Sequence, residues 1–71
     1  MDKKFKLLDV VALLKDIHEK KLIVGQVGTI VEELGSGTYE VEFSNNDGET
    51  IAITGVDGQN LLLLHYELKA A

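Results

Sequence analysis

The amino-acid sequence predicts a single, mostly β domain. Its 71 residues leave room for one hydrophobic core, and they include neither cysteine nor proline. Apolar and acidic residues alternate along residues 39–43, which is the period-two pattern of a half-buried strand. Glycine-containing clusters interrupt the chain at short intervals, as turns do between short strands. We therefore treat residues 1–71 as one β domain, with the modest stability expected of so small a core.

The middle of the chain predicts a three-stranded meander. The alternating segment is the centre of a strand at 38–44, and the cluster at 45–48 ends in an Asp-Gly pair that suits a tight turn. Residues 49–54 form the return strand. Residues 26–34 are rich in β-branched side chains and form the preceding strand, across a Gly-Ser-Gly turn at 35–37.

Two further segments are apolar enough to be strands. Residues 61–66 follow a turn cluster at 55–60, and their length and flanks favour a strand. Residues 7–14 are ambiguous, because apolar residues at helical spacing make an amphipathic helix over 7–17 a competing interpretation. The Val10-Val11 pair and a wide spread of apolar positions favour a strand. Periodicity alone leaves both alternatives open.

The order and spacing of four segments resemble a family of small uncharacterised bacterial proteins, frequent in cyanobacteria and described only as a domain of unknown function. The segments are residues 8–17, 25–32, 39–43 and 61–66. The family is similar in pattern to SH3-like barrels, in which a first strand leads through an irregular loop into a Gly-x-x-Gly strand. The resemblance implies a small five-stranded SH3-like barrel, with residues 7–14 as a strand and 16–24 as the loop. It implies no activity and no functional residues, and His18 departs from the proline that members often carry.

The alternation also predicts the core of this barrel. The expected core residues are Val10, Val27, Val41, Phe43, Ile51, Ile53 and one alternate pair from Leu61, Leu62, Leu63 and Leu64. Gly25 is expected to permit a tight turn, and Gly28 a bend or a close approach of two backbones. A phosphate-binding loop would need a helix after these glycines, whereas the following segment is predicted to be β.

The net charge of −5 is unevenly distributed. Residues 1–21 hold six lysines and four acids, whereas residues 22–71 hold one lysine and eight acids, and arginine is absent. Phosphate recognition relies on arginine and basic surfaces, so this balance disfavours nucleic-acid binding. The glycine pair nevertheless resembles a motif of ribosome-associated and transcription-elongation SH3-like domains. A nucleic-acid-associated role is therefore an alternative, which requires six lysines to form one patch: Lys3, Lys4, Lys6, Lys15, Lys20 and Lys21.

Residues that carry catalytic or metal chemistry are sparse. His18 and His65 each have carboxylates nearby in sequence, but a metal site needs three or four convergent ligands. Ser36 and Ser44 fall in expected turns and lack the surroundings of a nucleophilic serine. A barrel of this size also has little room for a substrate pocket. We therefore predict no metal, no cofactor and no enzymatic activity.

The chain also carries signals that bear on its location. The absence of disulfides in so small a domain fits a reducing compartment. The apolar stretch at 7–14 is interrupted by Asp9 and lacks a small-residue cleavage site, unlike a signal peptide. No apolar run approaches the roughly 18 residues that span a bilayer. The sequence predicts a cytoplasmic protein that does not associate with membranes.

Acidic residues are expected to line the outside of the meander. If Val41 points inward, Glu40 and Glu42 point outward, and a three-residue turn would set Glu32 opposite Glu40. Like charges directly opposite one another are unfavourable by a few tenths of a kcal/mol up to about 1 kcal/mol. These acids either keep the protein soluble or bind a basic partner.

The leucine run is apolar on both faces of its strand. One alternate pair fills the barrel, and the other needs cover from the loop at 16–24, from the N-terminal residues or from another chain. The leading hypothesis is a small protein-interaction module that uses the acidic residues Glu32, Glu40 and Glu42, the leucines 61–64, or both. Its partner is an unidentified protein or a second copy in a homodimer, and one version makes it the inhibitor half of a two-gene bacterial module. A structural homo-oligomer is a further alternative.

Overall fold

A computed structural model describes residues 5–65, which form one sheet of five antiparallel strands. The strands are β1 (Val10–Leu13), β2 (Val27–Gly35), β3 (Thr38–Ser44), β4 (Thr50–Asp57) and β5 (Leu61–Leu63), and short 3-10 helices occupy His18–Lys20 and Gly58–Asn60. The strand order is β4-β3-β2-β1-β5. Within the described residues, β4 and β5 remain the two edges of the sheet. The mostly β, SH3-like prediction is confirmed.

The ambiguous first segment is a strand, so the helical alternative is wrong. Val11 pairs with Gly28 on one side and with Leu63 on the other, which places β1 inside the sheet. The strand is shorter than the predicted 7–14, because a turn precedes it. In that turn the Asp9 carboxylate accepts a hydrogen bond from the Lys6 backbone N–H at 2.8 Å, and Leu8 has a φ of 72°.

The two glycines behave as predicted. Gly25 has a φ of 90°, a conformation that other residues adopt with strain. Gly28 lies opposite Phe43, and a Cβ added there would come 2.6 Å from Val41 Cγ1 and 2.8 Å from Phe43 Cδ1. The core residues of β3 therefore occupy the space that a side chain at position 28 would need.

The predicted meander is also present. In the β3–β4 turn, the Asn45 side-chain oxygen accepts hydrogen bonds from the backbone N–H groups of Asp47 and Glu49 at 2.9 and 3.0 Å. β4 is longer than the predicted 49–54, because pairing with β3 continues as far as Asp57 opposite Thr38. There the Thr38 hydroxyl donates to the Asp57 carboxylate at 2.9 Å. Residues 55–57, predicted as turn, are therefore strand.

The buried core lies on one face of the sheet. Its members are Phe5, Val11, Leu13, Leu22, Ile30, Tyr39, Val41, Phe43, Val56 and Leu61. Leu22 belongs to the β1–β2 loop and bridges to Ile17 by two backbone hydrogen bonds of 2.9 and 3.1 Å. Phe5 packs edge-on against Tyr39, with ring centroids 5.3 Å apart. Leu22 and Phe5, which both lie outside the strands, therefore complete the core.

Four predicted core residues lie on the other face. They are Val10, which is partly buried, and Val27, Ile51 and Ile53, which are each about half exposed. In β4 the cause is a bulge: Ser44 pairs with Thr50 and Phe43 pairs with Ala52, so one extra residue enters the ladder and reverses the faces of the strand. In β1 and β2, Val11 and Gly28 take the inward positions. Val41, Phe43 and the alternate pair Leu61 and Leu63 are confirmed as inward.

Candidate functional site

We call the face of the sheet opposite the core the outer face. It exposes apolar side chains from three strands: Val27 at 46%, Ile51 at 48%, Ile53 at 49% and Leu62 at 47%. A solvated sheet face ordinarily carries polar residues at its outward positions. Here both outward isoleucines of β4 break that pattern.

Strand pairing places these side chains in rows across the outer face. Ala12 pairs with Val27 on one side and with Leu62 on the other, which gives a short apolar row over three strands. A second row runs through successive partners of four strands: Val10, Thr29, Glu42 and Ile53. Apolar side chains thus flank a polar centre.

The predicted pairing of two glutamates is present. Glu32 lies directly opposite Glu40, and a bulge beside Val31 precedes this pair in β2. Glu42, the third predicted acid, accepts a hydrogen bond from the Thr50 hydroxyl. Within residues 5–65, no salt bridge joins any of these three carboxylates to a cation. The sequence also places no lysine between residues 22 and 65, so the acidic charge of β2–β4 has no nearby counterion along the chain.

The four leucines predicted as an interaction site divide between the two faces. Leu61 is fully buried, and Leu63 packs against the core. Leu62 is exposed on the outer face, whereas Leu64 is partly buried and donates its backbone N–H to the Val10 carbonyl at 2.9 Å. Of the four predicted leucines, Leu62 is therefore the one that is exposed on the outer face. The outer face gains Val27, Ile51 and Ile53, which the sequence analysis had assigned to the core.

A cleft of about 400 Å³ lies where the β1–β2 loop meets the end of β4. Residues 15–19 line one side, and residues 55–57 with Asn60 line the other. Asp16 holds the loop in place by accepting a hydrogen bond from the Val24 backbone N–H at 2.9 Å. His18 Nε2 lies 4.0 Å from the Asp16 carboxylate, and the His18 side chain is 89% exposed. The cleft thus carries charged residues from the loop and, from β4, the charged residue Asp57.

The described residues bring together few side chains that could bind a metal or act in catalysis. Among residues 5–65, no cluster of three or more histidine, aspartate or glutamate side chains could hold a metal ion. His65 lies exposed beyond β5. Ser36 is in the β2–β3 turn with a φ of 55°, and Ser44 ends β3. In the same part of the chain, no helix is long and apolar enough to cross a membrane.

Comparison with known families supplies one match. The family model of a domain of unknown function (DUF4926) matches residues 7–63, a span that includes all five strands and both 3-10 helices. Comparisons with curated proteins and with solved structures give no match. The resemblance inferred from the sequence is thus confirmed, and it brings no activity with it.

Proposed function

The chain belongs to the DUF4926 family, and from this premise we propose that it is a non-catalytic protein-interaction module that binds through its outer face. The observation that carries the proposal is the half-exposed set of apolar side chains on that face, beside carboxylates that form no salt bridge within residues 5–65. Val27, Ile53 and Leu62 contribute apolar surface from three strands. Glu32 and Glu40 contribute charge that no described cation neutralises.

Solubility alone does not account for this surface. Carboxylates keep a small domain soluble and protect it against aggregation. Half-exposed Ile51 and Ile53 act in the opposite sense, because exposed apolar surface promotes association. A surface that combines both features suits a specific partner, which the acids attract and the apolar side chains hold.

The charge indicates the chemistry of that partner. Opposite charges across an interface accelerate encounter and favour the right partner, while buried apolar groups supply most of the binding energy. An acidic domain that covers a basic surface is consistent with the inhibitor half of a two-gene bacterial module. We place this role in the cytoplasm, since a domain without cysteine is suited to a reducing compartment.

The proposal is tested by capture with the whole chain as bait in an extract of the source organism. Three variants are compared with the natural chain: Glu40→Lys with Glu42→Lys, Ile53→Asp, and the control Lys20→Glu in the β1–β2 loop. We expect one protein to be retained by the natural chain and the control and lost from both outer-face variants. Circular dichroism checks that each variant is folded. Retention of the same proteins by all four baits would contradict the proposal.

The nucleic-acid alternative is distinguished by its salt dependence. Lys15, Lys20 and Lys21 share the β1–β2 loop, whereas Lys3 and Lys4 of the required patch lie outside the described residues. Binding through lysines weakens steeply as salt rises, because it releases counterions from the phosphates. We expect no retention of the protein on DNA or RNA at physiological salt. Retention that salt abolishes would favour the alternative.

A further inference from the structure

Within residues 5–65, β4 forms an edge of the sheet over eight residues, Thr50–Asp57. Natural proteins usually protect an edge of this length with lysine, proline, a bulge or a covering segment. β4 contains neither lysine nor proline, and its one bulge lies at its beginning, beside Ile51. From Ala52 onward, the strand is a regular edge with β-branched residues.

The hydrogen-bond pattern of the sheet shows which side of each strand faces its neighbour. The Ile30 N–H donates to the Asp9 carbonyl at 2.9 Å, so Ile30 is bonded toward β1. Because the direction alternates along a strand, Thr29 is bonded toward β3, where it lies opposite Glu42. Glu42 is thus bonded to β2, and its neighbours in β3 are bonded to β4.

The same alternation fixes the free groups of β4. Val41 lies opposite Thr54 and is bonded to it, and Ala52 is bonded in the same way. Ile53 and Gly55 therefore direct their N–H and C=O groups away from β3. Within residues 5–65, neither of these two residues makes a backbone hydrogen bond outside the sheet. The edge presents two N–H groups and two carbonyls in the spacing of a strand.

The free edge leads into the cleft. Gly55, Val56 and Asp57 form its β4 side, and the opposite side includes Lys15, Asp16, His18 and Glu19. A strand paired with Ile53 and Gly55 would extend along this opening. One set of its alternate side chains would lie beside Ile53 on the outer face, and the other set would face the cleft. There the three carboxylates of Asp16, Glu19 and Asp57 outnumber the one lysine, Lys15.

Charge selects the occupant of this edge. Residues 22–65 contain seven acids and no lysine, and Glu49 and Asp57 stand near the two ends of β4. In the symmetric antiparallel pair that sets Ile53 opposite Ile53 of the second copy, Glu49 of each copy would lie opposite Asp57 of the other, which is unfavourable. A second copy is therefore a poor occupant, and a basic strand is a good one.

We propose that the partner binds by adding an extended segment, in which lysine or arginine alternates with apolar residues, to the free edge of β4. Strand addition supplies affinity through main-chain hydrogen bonds and specificity through alternate side chains. The inference rests on the proposed interaction role and assigns it a binding mode and a partner chemistry.

The test uses the isotopically labelled full chain and a short synthetic peptide of alternating valine and lysine. At a peptide concentration about ten times its Kd, amide hydrogen exchange at Ile53 and Gly55 is expected to slow about tenfold. Exchange at Ala52 and Thr54, already bonded to β3, is expected to change little. A peptide with glutamate in place of lysine is expected not to bind.

Two changes remove the proposed hydrogen bonds without altering the charge. A valine–lysine peptide methylated on alternate backbone nitrogens, along the edge that would face β4, is expected to lose binding by about tenfold or more. In the protein, Ile53→Pro removes an outward N–H, whereas the matched control Ile53→Thr keeps it. We expect Ile53→Pro to lose the peptide and Ile53→Thr to bind it, with both folds checked by their amide spectra. Because methylation changes only the peptide, its result stands even if Ile53→Pro fails to fold.

Three results of the peptide experiments would each overturn strand addition. They are equal binding of the methylated peptide, binding without slower exchange at Ile53 and Gly55, and no binding of the valine–lysine peptide at millimolar concentration. The proposed function fails by a different result, namely capture that ignores the outer-face substitutions. A partner that depends on Glu40 and Glu42 but tolerates Ile53→Pro would leave that function standing and exclude this binding mode.

Discussion

The two faces of the sheet carry the same kinds of apolar residue, but one face buries them and the other exposes them. Val11, Val41 and Phe43 are fully buried on the inner face, whereas Ile53 and Leu62 are about half exposed on the outer face. Hydrophobicity does not distinguish the two sets. Strand register does, because a shift of one residue moves every side chain of a strand to the other face. Stability is therefore expected to depend on the inner face, which leaves the outer face available for binding.

The largest difference is expected for Phe43→Ala, which removes the largest fully buried side chain of the inner face. The loss of buried area and the resulting cavity should lower the free energy of unfolding by about 3–5 kcal/mol. Urea denaturation measures it against Leu62→Ala on the outer face, for which we expect a much smaller loss. Equal losses would show that the two faces do not differ in this way.

A smaller difference is expected when a methyl group is added to each face. Gly28→Ala places a Cβ within 3 Å of Val41, Phe43 and the Glu42 backbone oxygen, and overpacking of this kind costs about 1–3 kcal/mol. The control is Gly55→Ala, whose Cβ would approach the flexible end of Leu34 no closer than 3.2 Å. Thermal unfolding should separate the two variants. A destabilised Gly55→Ala with an unchanged Gly28→Ala would reverse our assignment of the faces.

Replacing a β-branched residue by threonine sharpens the comparison further. Ile53→Thr should change the free energy of unfolding by less than about 1 kcal/mol, because half of the side chain is already in water. Val41→Thr keeps the shape of the side chain but buries a hydroxyl in the core, so we expect a loss of about 1–3 kcal/mol. Chemical denaturation of both variants gives the values. A larger loss of unfolding free energy for Ile53→Thr than for Val41→Thr would mean that Ile53 contributes more to stability than the buried Val41.

The smallest effect is expected at the paired acids. Glu40→Gln removes the repulsion from Glu32 and should stabilise the protein by a few tenths of a kcal/mol up to about 1 kcal/mol. The gain should shrink at high salt, which screens exposed charges. Glu33→Gln is the matched control, because Glu33 lies opposite Tyr39 and not opposite an acid. Equal gains in stability for both variants would show that the gain comes from the lower net charge and not from the Glu32–Glu40 pair.

Local signals in the sequence predict the order of the strands well. Asn45 and Gly48 define the β3–β4 turn, and Gly35 and Gly37 define the β2–β3 turn, because their backbone requirements are met by the residues themselves. The β2–β3 turn, together with a bulge between Glu33 and Gly35, sets Glu32 opposite Glu40, and that pair is as predicted. Alternation also separates Leu61 and Leu63 from Leu62 and Leu64, but it does not indicate which pair points inward.

The faces of β4 and the ends of the core are less predictable. The bulge beside Ile51 has no distinct sequence signal, yet it turns both isoleucines outward and brings Ala52 inward. Leu22 and Phe5 enter the core through contacts with distant residues, which periodicity within one segment does not report. Three of the four half-exposed apolar residues of the outer face, Val27, Ile51 and Ile53, are therefore residues that the sequence predicts as core.

The pairing of β1 with β5 has a consequence for the kinetics of folding. Val11 and Leu63 are 52 positions apart in the chain, whereas β2, β3 and β4 are joined by turns of a few residues. Closing a long loop costs more conformational entropy than closing a hairpin, so the meander is expected to form first and the β1–β5 ladder last. Shortening the Leu63 side chain should then accelerate unfolding in stopped-flow experiments and leave the rate of folding nearly unchanged. The ladder between the first and last strands of the chain, β1 and β5, would then govern how long the native state lasts.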